Sequence, residues 1–470
     1  MTKYFGTNGI RGLFHELSPM LALKAAQAFG IWTKREKKRE KHEKKQKHER
    51  ILVGRDIRLT GQCLASAVKS GLASVGCEAI DLAICSAPAA EFMLKKEKAD
   101  GLIIITASHN PPEQNALKFI DGKGITISKE RGEEIEKIMD SIKHADWNEV
   151  KAMKEITNTT AKHIAAIEKN IDLEKIKKAR LNIVVDFGNG TSSLYLKMFE
   201  RIAKVNAINA EVNGRFPGRP SEPTEANISK LIKLVKEGSY DCGFAWDCDA
   251  DRFVAVDEKG NFVIGDKIFA LSVLFKFRKT GKIKGKIKQR KIVTTVATSK
   301  AAEDIATKYN ARTIYTKVGA PYLSEAILLE NADIAGEEVG GVIWKEISLA
   351  KDGLATAMKM LEAIAEKPLS MWVAELPRYY NAKTKIPVPK EKKREIIEKF
   401  AAMQKMIQKD KITDMEIITI DGVRVNFPDC WIIVRASGTE DYIRVFAEAK
   451  TAKNAAEQIK KYEEIIKNNL

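Results

Sequence analysis

Ile51-Leu52-Val53-Gly54-Arg55-Asp56 opens a pattern that the chain writes three times. It is a short apolar, branched run, then a polar turn, then an amphipathic stretch from about Leu64 to Val75. Asn182-Ile183-Val184-Val185-Asp186 repeats it, passing through Gly188-Asn189-Gly190 into Leu194 to Ile202. Lys291-Ile292-Val293-Thr294-Thr295-Val296 repeats it again, through Thr298-Ser299 into Ala301 to Tyr309. Each succession reads as strand, turn and helix. Roughly 40 to 60 residues later each unit carries another strand, and each of these opens from an aspartate. They are Asp100-Gly101-Leu102-Ile103-Ile104-Ile105, Asp241-Cys242-Gly243-Phe244-Ala245-Trp246 and Asp333-Ile334-Ala335.

Strands alternating with helices give layered α/β domains with mixed, mainly parallel sheets. Open sheets of this kind place ligands at the carboxyl ends of their strands. Here those ends run into three polar loops: Thr106 to Pro111, Asp247 to Arg252, and Gly336 to Gly341. Three similar units with three different loops imply one composite site. After about Pro368 the pattern changes. Asp421 to Phe427 and Cys430 to Arg435 alternate like antiparallel strands, and Ala452 to Asn468 reads as a closing helix. The expected organisation is three α/β domains, 1–157, 158–254 and 255–368, and a smaller α+β domain, 369–470.

Composition narrows the class. A chain of 470 residues is too long for one core, and 44% hydrophobic with 30% charged residues describes a soluble globular protein. No apolar run is long enough to cross a bilayer, and the start Met1-Thr2-Lys3-Tyr4-Phe5 has no apolar signal region, so a cytoplasmic location is expected. The six cysteines form no CxxC pair and no cluster with histidine, which argues against zinc and against a disulfide framework. The net charge of +17 raises a nucleic-acid partner, but Lys34 to Arg50 alone supplies +6 (ten Lys/Arg less four Glu) with no aromatic residue to stack on bases. That run reads as a solvated helical extension or a mobile insertion. No nucleic acid and no membrane is expected, and a basic surface suits an anionic substrate.

The loops carry the chemistry. Ser108 follows a buried strand on a turn stopped by Pro111 and Pro112, where an exposed hydroxyl can accept or donate a phosphoryl group. An ordinary strand exit uses the same residues. Lys118 sits between apolar neighbours, as a snorkelling strand lysine does; beside phosphates it is a candidate for proton exchange with a hydroxyl. Asp247, Asp249 and Asp251 alternate, so an extended segment points all three carboxylates one way. Like charges so placed repel unless a cation lies among them, and hard oxygens select Mg²⁺. No glycine and closing glutamate follow at EF-hand spacing. Cys248, inside the cluster, reads as a small filler because thiolate is soft. Arg252 lies against the same charge and suits phosphate oxygens. Glu337 and Glu338 among glycines can accept sugar hydroxyls, and a plain loop fits them as well. Arg435-Ala436-Ser437-Gly438-Thr439 offers a guanidinium, hydroxyls and free backbone N–H groups, a cradle for phosphate. Phe5 to Gly12 is a glycine-rich loop with one arginine, Arg11.

Taken together and in order, these segments resemble the α-D-phosphohexomutase superfamily over essentially the whole chain. The resemblance implies four domains around a deep cleft, a phosphorylated serine, one Mg²⁺ per chain, and a hexose 1,6-bisphosphate that is both intermediate and activator. It implies that Ser108 is the phosphoserine and that Ser108, Asp247, Asp249 and Asp251 hold the metal. Arg11, His109, Lys118 and Arg252 match the family's catalytic basic residues, with Lys118 a candidate general acid/base. Glu337 and Val339 fall in the sugar loop; Arg435, Ser437, Gly438 and Thr439 match the phosphate loop. The implied activity is hexose 1-phosphate to hexose 6-phosphate interconversion on glucose or mannose, with phosphoglucosamine mutase the alternative, in a monomer or homodimer. The sequence departs from the pattern at Val339, at Gly341 where bacterial relatives have histidine, at Ala320, and at Ala436 and Asp441.

Overall fold

A computed structural model of the chain describes residues 3–6, 9–39, 48–280, 289–409, 415–436 and 441–468. Four sheets follow one another along it. The first sets strands Glu78–Ile84, Arg50–Arg55, Gly101–Ile105 and Gln114–Asp121 side by side. The second repeats that arrangement with Lys204–Ile208, Asn182–Asp186, Cys242–Trp246 and Phe253–Asp257. The third does so with Arg312–Thr316, Lys291–Thr295, Ile334–Gly336 and Val342–Ile343. In all three the first three strands are parallel and the fourth is antiparallel. The repeat read in the sequence is therefore a repeat of topology, and each polar loop joins the third strand to the fourth.

The aspartates that open the third strands have a common task. The Asp100 carboxylate accepts the Arg50 N–H at 2.9 Å, Asp241 accepts Asn182 N–H at 2.7 Å, and Asp333 accepts Lys291 N–H at 2.9 Å. Each aspartate's own N–H returns a bond to the same residue's carbonyl, at 2.8 to 2.9 Å. A charge-assisted bond at this point pins third strand to first in one register. The pin lies at the amino end of the strands, away from the loops.

Among the strands not foreseen is, in each unit, the one that lies beside the first on the far side. Lys204–Ile208 and Arg312–Thr316 are sheet edges with half-exposed residues, so burial imposes no clear alternation on them. Expected helices lie within a few residues of their place: Gly61–Ser74, Lys300–Lys308 and Ala452–Lys467, while Leu194 to Ile202 divides into a 3₁₀ turn, Thr191–Tyr195, and the short helix Leu196–Glu200.

Packing stiffens what lies under the loops. Phe187, Phe199, Phe244, Trp246 and Phe253 are fully buried and pack ring on ring, with Trp246 stacked on Phe187 at 6.0 Å. Aromatic pairs of this kind add about 0.5–1.5 kcal/mol each beyond area burial. Trp246 is the residue before Asp247.

The fourth domain is an antiparallel sheet in the order Tyr380–Pro387, Tyr442–Ala449, Cys430–Ala436, Val423–Asn426, Glu416–Ile418, with helices Lys393–Lys409 and Ala452–Lys467. It docks on the third domain through fully buried Arg424, which donates to the Val296 and Thr298 carbonyls at 2.8 and 3.0 Å. The guanidinium lies between Trp431 and Tyr315, 4.0 and 4.8 Å from the ring centres.

The lysine-rich run is less free than expected. Lys34 to Arg39 are the last turns of the helix Pro19–Arg39, residues 40–47 lie outside the described residues, and Arg50 begins a strand. Lys34 donates to the Val75 carbonyl at 2.6 Å and Lys37 pairs with Asp100 at 2.8 Å. Among the described residues no helix is long and apolar enough to cross a membrane.

Candidate active site

Ser108 is 4% exposed and adopts φ of +51°, in the left-handed region. That conformation costs an L-residue roughly 1 kcal/mol, so the surroundings must hold it. Thr106 Oγ1 accepts the Ser108 N–H at 3.0 Å. Buried Arg58 donates to the carbonyls of Ser108, Asn110 and Gln114 at 2.9, 2.7 and 3.0 Å, and to that of Pro111. Its Nε meets Asp56 at 3.1 Å. Ser221 Oγ donates to the Ser108 carbonyl at 3.1 Å and accepts the Cys248 N–H at 2.9 Å, tying the first loop to the second.

The second loop differs from the extended segment expected of it. It is a turn, with Ala250 at φ +59°, and its carbonyls are gripped from three sides. Thr191 N–H donates to Cys248 at 2.8 Å, Ala87 N–H to Asp249 at 3.0 Å and Gly353 N–H to Ala250 at 3.1 Å. Turn geometry, rather than strand alternation, brings the three carboxylates together. Asp247, Asp249 and Asp251 are buried and offer oxygens within 4.8 Å of one another. The Cys248 thiol is buried, points away, and donates to Asp56 at 3.4 Å.

The two loops meet side chain to side chain. Ser108 Oγ donates to Asp247 Oδ2 at 2.6 Å, and Thr106 Oγ1 to Asp249 Oδ2 at 3.1 Å. Lys118 Nζ reaches Asp249 at 2.8 Å and Asp251 at 3.6 Å. Burial works against the Lys118 charge, but Asp249 and Asp251 hold its pKa above the usual lysine value. Asp249 Oδ1 and Asp251 Oδ1 are buried with no partner. Orphaned hard oxygens beside a serine hydroxyl fit a divalent cation, and Mg²⁺ suits them best among common ions.

Arg11, His109 and Arg252 line the same cleft as Ser108 and Lys118. Arg11 donates to Asn110 Oδ1 at 3.0 Å, and Arg252 donates its N–H to Asp247 Oδ1 at 3.1 Å while its guanidinium pairs with Glu222 at 3.3 Å. Burial, with Arg252 and Arg11 nearby, pushes the His109 imidazole down to about 3, so it is neutral at ordinary pH.

In the third loop the two glutamates part company. Glu338 is half-buried and accepts from Thr295 Oγ1 at 3.0 Å, whereas buried Glu337 faces Lys351 at 2.7 Å. Gly340, at φ +87°, leaves no room for a side chain: a Cβ there would lie 2.2 Å from the Phe253 carbonyl oxygen. Val339 is half-buried and is not part of the cleft lining, whereas Ala320 is. Arg435 sits apart, at the end of its strand, ion-paired to Asp421 at 2.8 Å. Ser437, Gly438 and Thr439 lie outside the described residues.

Family models for the three α/β/α domains of phosphoglucomutase/phosphomannomutase match residues 2–146, 161–260 and 264–380, and the model for the C-terminal domain matches 384–465. The chain belongs to this family. A phosphoglucomutase/phosphomannomutase of Thermococcus kodakarensis is 39% identical, over 98% of this chain and 97% of that one. A phosphoglucosamine/phosphogalactosamine mutase of Sulfurisphaera tokodaii is 34% identical, over 98% and 99%. In structure, a family protein of Burkholderia thailandensis superposes with a TM-score of 0.83 at 22% identity, over 98% and 96% of the two chains. This chain is a phosphohexomutase, an isomerase that moves phosphoryl groups.

The mutase cleft holds residues that the motifs did not announce. Arg58 braces the serine loop from a strand-to-helix turn about 50 positions earlier. Glu91, on the helix Ala87–Lys96, enters the cleft near Lys118, and burial pushes its carboxyl up to about 8. Lys351 joins Asp251 to Glu337. None stands in a glycine-rich or clustered motif, so nothing local marks them.

Proposed function

We propose that this mutase interconverts hexose 1-phosphate and hexose 6-phosphate, on glucose or mannose, through a phosphoserine at Ser108 and a hexose 1,6-bisphosphate that turns around in the cleft. The observation that carries this reading is the 2.6 Å contact between the Ser108 hydroxyl of one domain and the Asp247 carboxylate of the next. A hydroxyl shared with an acidic cluster is where a phosphoryl group can be parked and charge on it offset. The likeness to the Thermococcus enzyme at 39% favours glucose and mannose.

Asp247, Asp249, Asp251 and the Ser108 oxygen would hold one Mg²⁺, which when bound offsets negative charge on the transferring phosphoryl group. Arg11 and Arg252 bind its other oxygens, and neutral His109 adds a hydrogen bond without competing for them. As the bond from phosphorus to Ser108 Oγ breaks, one forms to a sugar hydroxyl. The hydroxyl proton passes to a basic side chain of the cleft, for which Lys118 in its neutral form is our candidate. The ammonium that Asp249 and Asp251 favour is the form that returns a proton to the sugar oxygen as the phosphoryl group goes back to Ser108. Glu337 receives the sugar's remaining hydroxyls. Arg435 with Ser437, Gly438 and Thr439 grips the phosphate that is not reacting, so remote binding energy supports the chemical step. That loop must serve either end of the sugar, so it reads phosphate rather than one face of the ring.

Phosphoglucosamine mutase activity is the second reading, favoured by relatives so named at 33 to 35% identity. Side-by-side rates with glucose 1-phosphate, mannose 1-phosphate and glucosamine 1-phosphate separate the two. A preference of about tenfold for the amino sugar, some 1.4 kcal/mol, reverses the order. Intact-mass measurement with site mapping tests the phosphoserine; phosphate on another residue, with isomer still formed, removes Ser108 from the mechanism.

A further inference from the structure

Lys351 lies outside every motif, yet it is a buried cation of the cleft. Its side chain is 9% exposed, with Nζ 3.3 Å from Asp251 Oδ2 and 2.7 Å from Glu337 Oε1. Its backbone anchor is rigid. The next residue, Asp352, caps the helix Gly353–Ile364 by accepting the N–H of Leu354 and Ala355 at 3.1 and 2.9 Å, and its other oxygen meets buried His163 at 2.9 Å. Asp352 N–H also donates to the Val342 carbonyl at 2.8 Å. The ammonium therefore has little freedom beyond its own rotamers.

Gly341 makes room for this side chain. A Cβ at 341 would lie 2.5 Å from Lys351 Cδ, 3.2 Å from its Cγ and 3.0 Å from Glu337 Oε1. Gly341 does not have the positive φ that would demand glycine for its backbone. Space, not conformation, is what a side chain at 341 would violate. The departure from histidine at this position thus has a physical counterpart: the lysine stem runs where that side chain would begin.

We propose that Lys351 is a substrate-positioning residue that acts through Glu337, interlocked with Gly341. The ammonium holds the Glu337 carboxylate by one oxygen and leaves the other to receive sugar hydroxyls, and it keeps that carboxylate from swinging away from nearby Asp251. This rests on the reading of Glu337 as the sugar's acceptor. The charge of Lys351 also links the acidic loop to the sugar loop, so both are set by one side chain.

The test uses the full chain with Mg²⁺ and glucose 1,6-bisphosphate, and the variants Lys351→Met, Lys351→Arg, Gly341→Ala and the Lys351→Met/Gly341→Ala pair. Lys351→Met raises KM for glucose 1-phosphate about tenfold or more while kcat falls less, the split expected when binding contacts are lost. Lys351→Arg, which still donates to two carboxylates, recovers most of that loss. Gly341→Ala shifts KM in the same direction, and the pair is no worse than Lys351→Met alone, because a Cβ at 341 no longer meets a charged stem that must reach Glu337. A KM within about twofold of wild type in both single variants overturns the proposal. So does simple additivity in the pair. Were Lys351→Met to fail to fold, Lys351→Arg and Gly341→Ala decide. Calorimetric binding of glucose 6-phosphate keeps the two readings apart. An affinity loss of about tenfold in Gly341→Ala without turnover of glucose or mannose phosphates in wild type overturns the glucose/mannose reading alone, whereas unchanged affinity overturns the role of Lys351.

Discussion

Replacing Arg58 by methionine is expected to damage stability and turnover together, and by calculable routes. The guanidinium supplies donors to four carbonyls of the serine loop and to Asp56, and the side chains of both Arg58 and Asp56 are fully buried. Deleting one partner of a buried pair costs about 3–5 kcal/mol, because the other charge is left without compensation. At about 2–4 °C per kcal/mol for a domain of this size, the first unfolding step should fall by about 10 °C. The deficit has a pH signature. Burial already raises the Asp56 pKa against the pull of Arg58. Without Arg58 it rises further, so the native state keeps a proton that the unfolded chain releases. Stability of the variant then falls as pH rises from about 4 through that elevated pKa, and the gap from wild type is wider at pH 8 than at pH 5. Asp56→Asn in the same chain should restore about 1–3 kcal/mol, since a neutral partner leaves no buried charge. It should not restore turnover. The loop carbonyls stay unbraced, and a shift of about 1 Å at Ser108 costs roughly a hundredfold in rate. Calorimetry at two pH values with mutase assays on both variants reads all of this. Turnover within twofold of wild type in Arg58→Met, or an equal deficit at both pH values, refutes the reasoning.

Ser108→Ala should lose nearly all mutase activity and take up no phosphate from glucose 1,6-bisphosphate, with the fold intact by circular dichroism. Chelation should abolish turnover, Mg²⁺ should restore it, and thermal scans should show a higher midpoint with the ion, because the orphaned oxygens of Asp249 and Asp251 gain a partner. The His109 side chain is held neutral down to about 3, while its unfolded form protonates near 6.5. Between those values the unfolded state binds more protons, so stability rises with pH across the window, and His109→Gln should flatten that slope in equilibrium unfolding. Arg424→Met should uncouple the last two domains and split the calorimetric transition; a single unshifted peak contradicts it.

The four-domain plan was legible because each unit's buried strands are near-continuous apolar runs, and because the polar loops interrupt them at matching places. Ser108 and the aspartates stood out for the same reason: polar residues at the end of such a run need an explanation. What escaped notice depends on tertiary contact. Edge strands such as Lys204–Ile208 bury too little to show a period. Glu337 and Glu338 are adjacent letters, and only the fold sends one to Lys351 and one to Thr295. The convergence of the carboxylates was expected on wrong grounds, since the loop turns at Ala250 where an extended run was supposed. Lys351 looks like any surface lysine ahead of a helix until Asp251, Glu337 and Gly341 are seen around it.

The aspartate pins of the first three sheets lie at the end of the strands remote from the chemistry. A frame secured at its base can carry very different cargo at its rim. One copy presents a hydroxyl, another an acid cluster and a third a carboxylate held by a lysine, with no copy needing to change how it is fastened. Exchanges at the rim that leave the bracing of the loops in place, such as Ser108→Ala, should therefore leave folding largely alone, whereas an asparagine at 100, 241 or 333 should weaken a whole copy and leave its cargo formally intact.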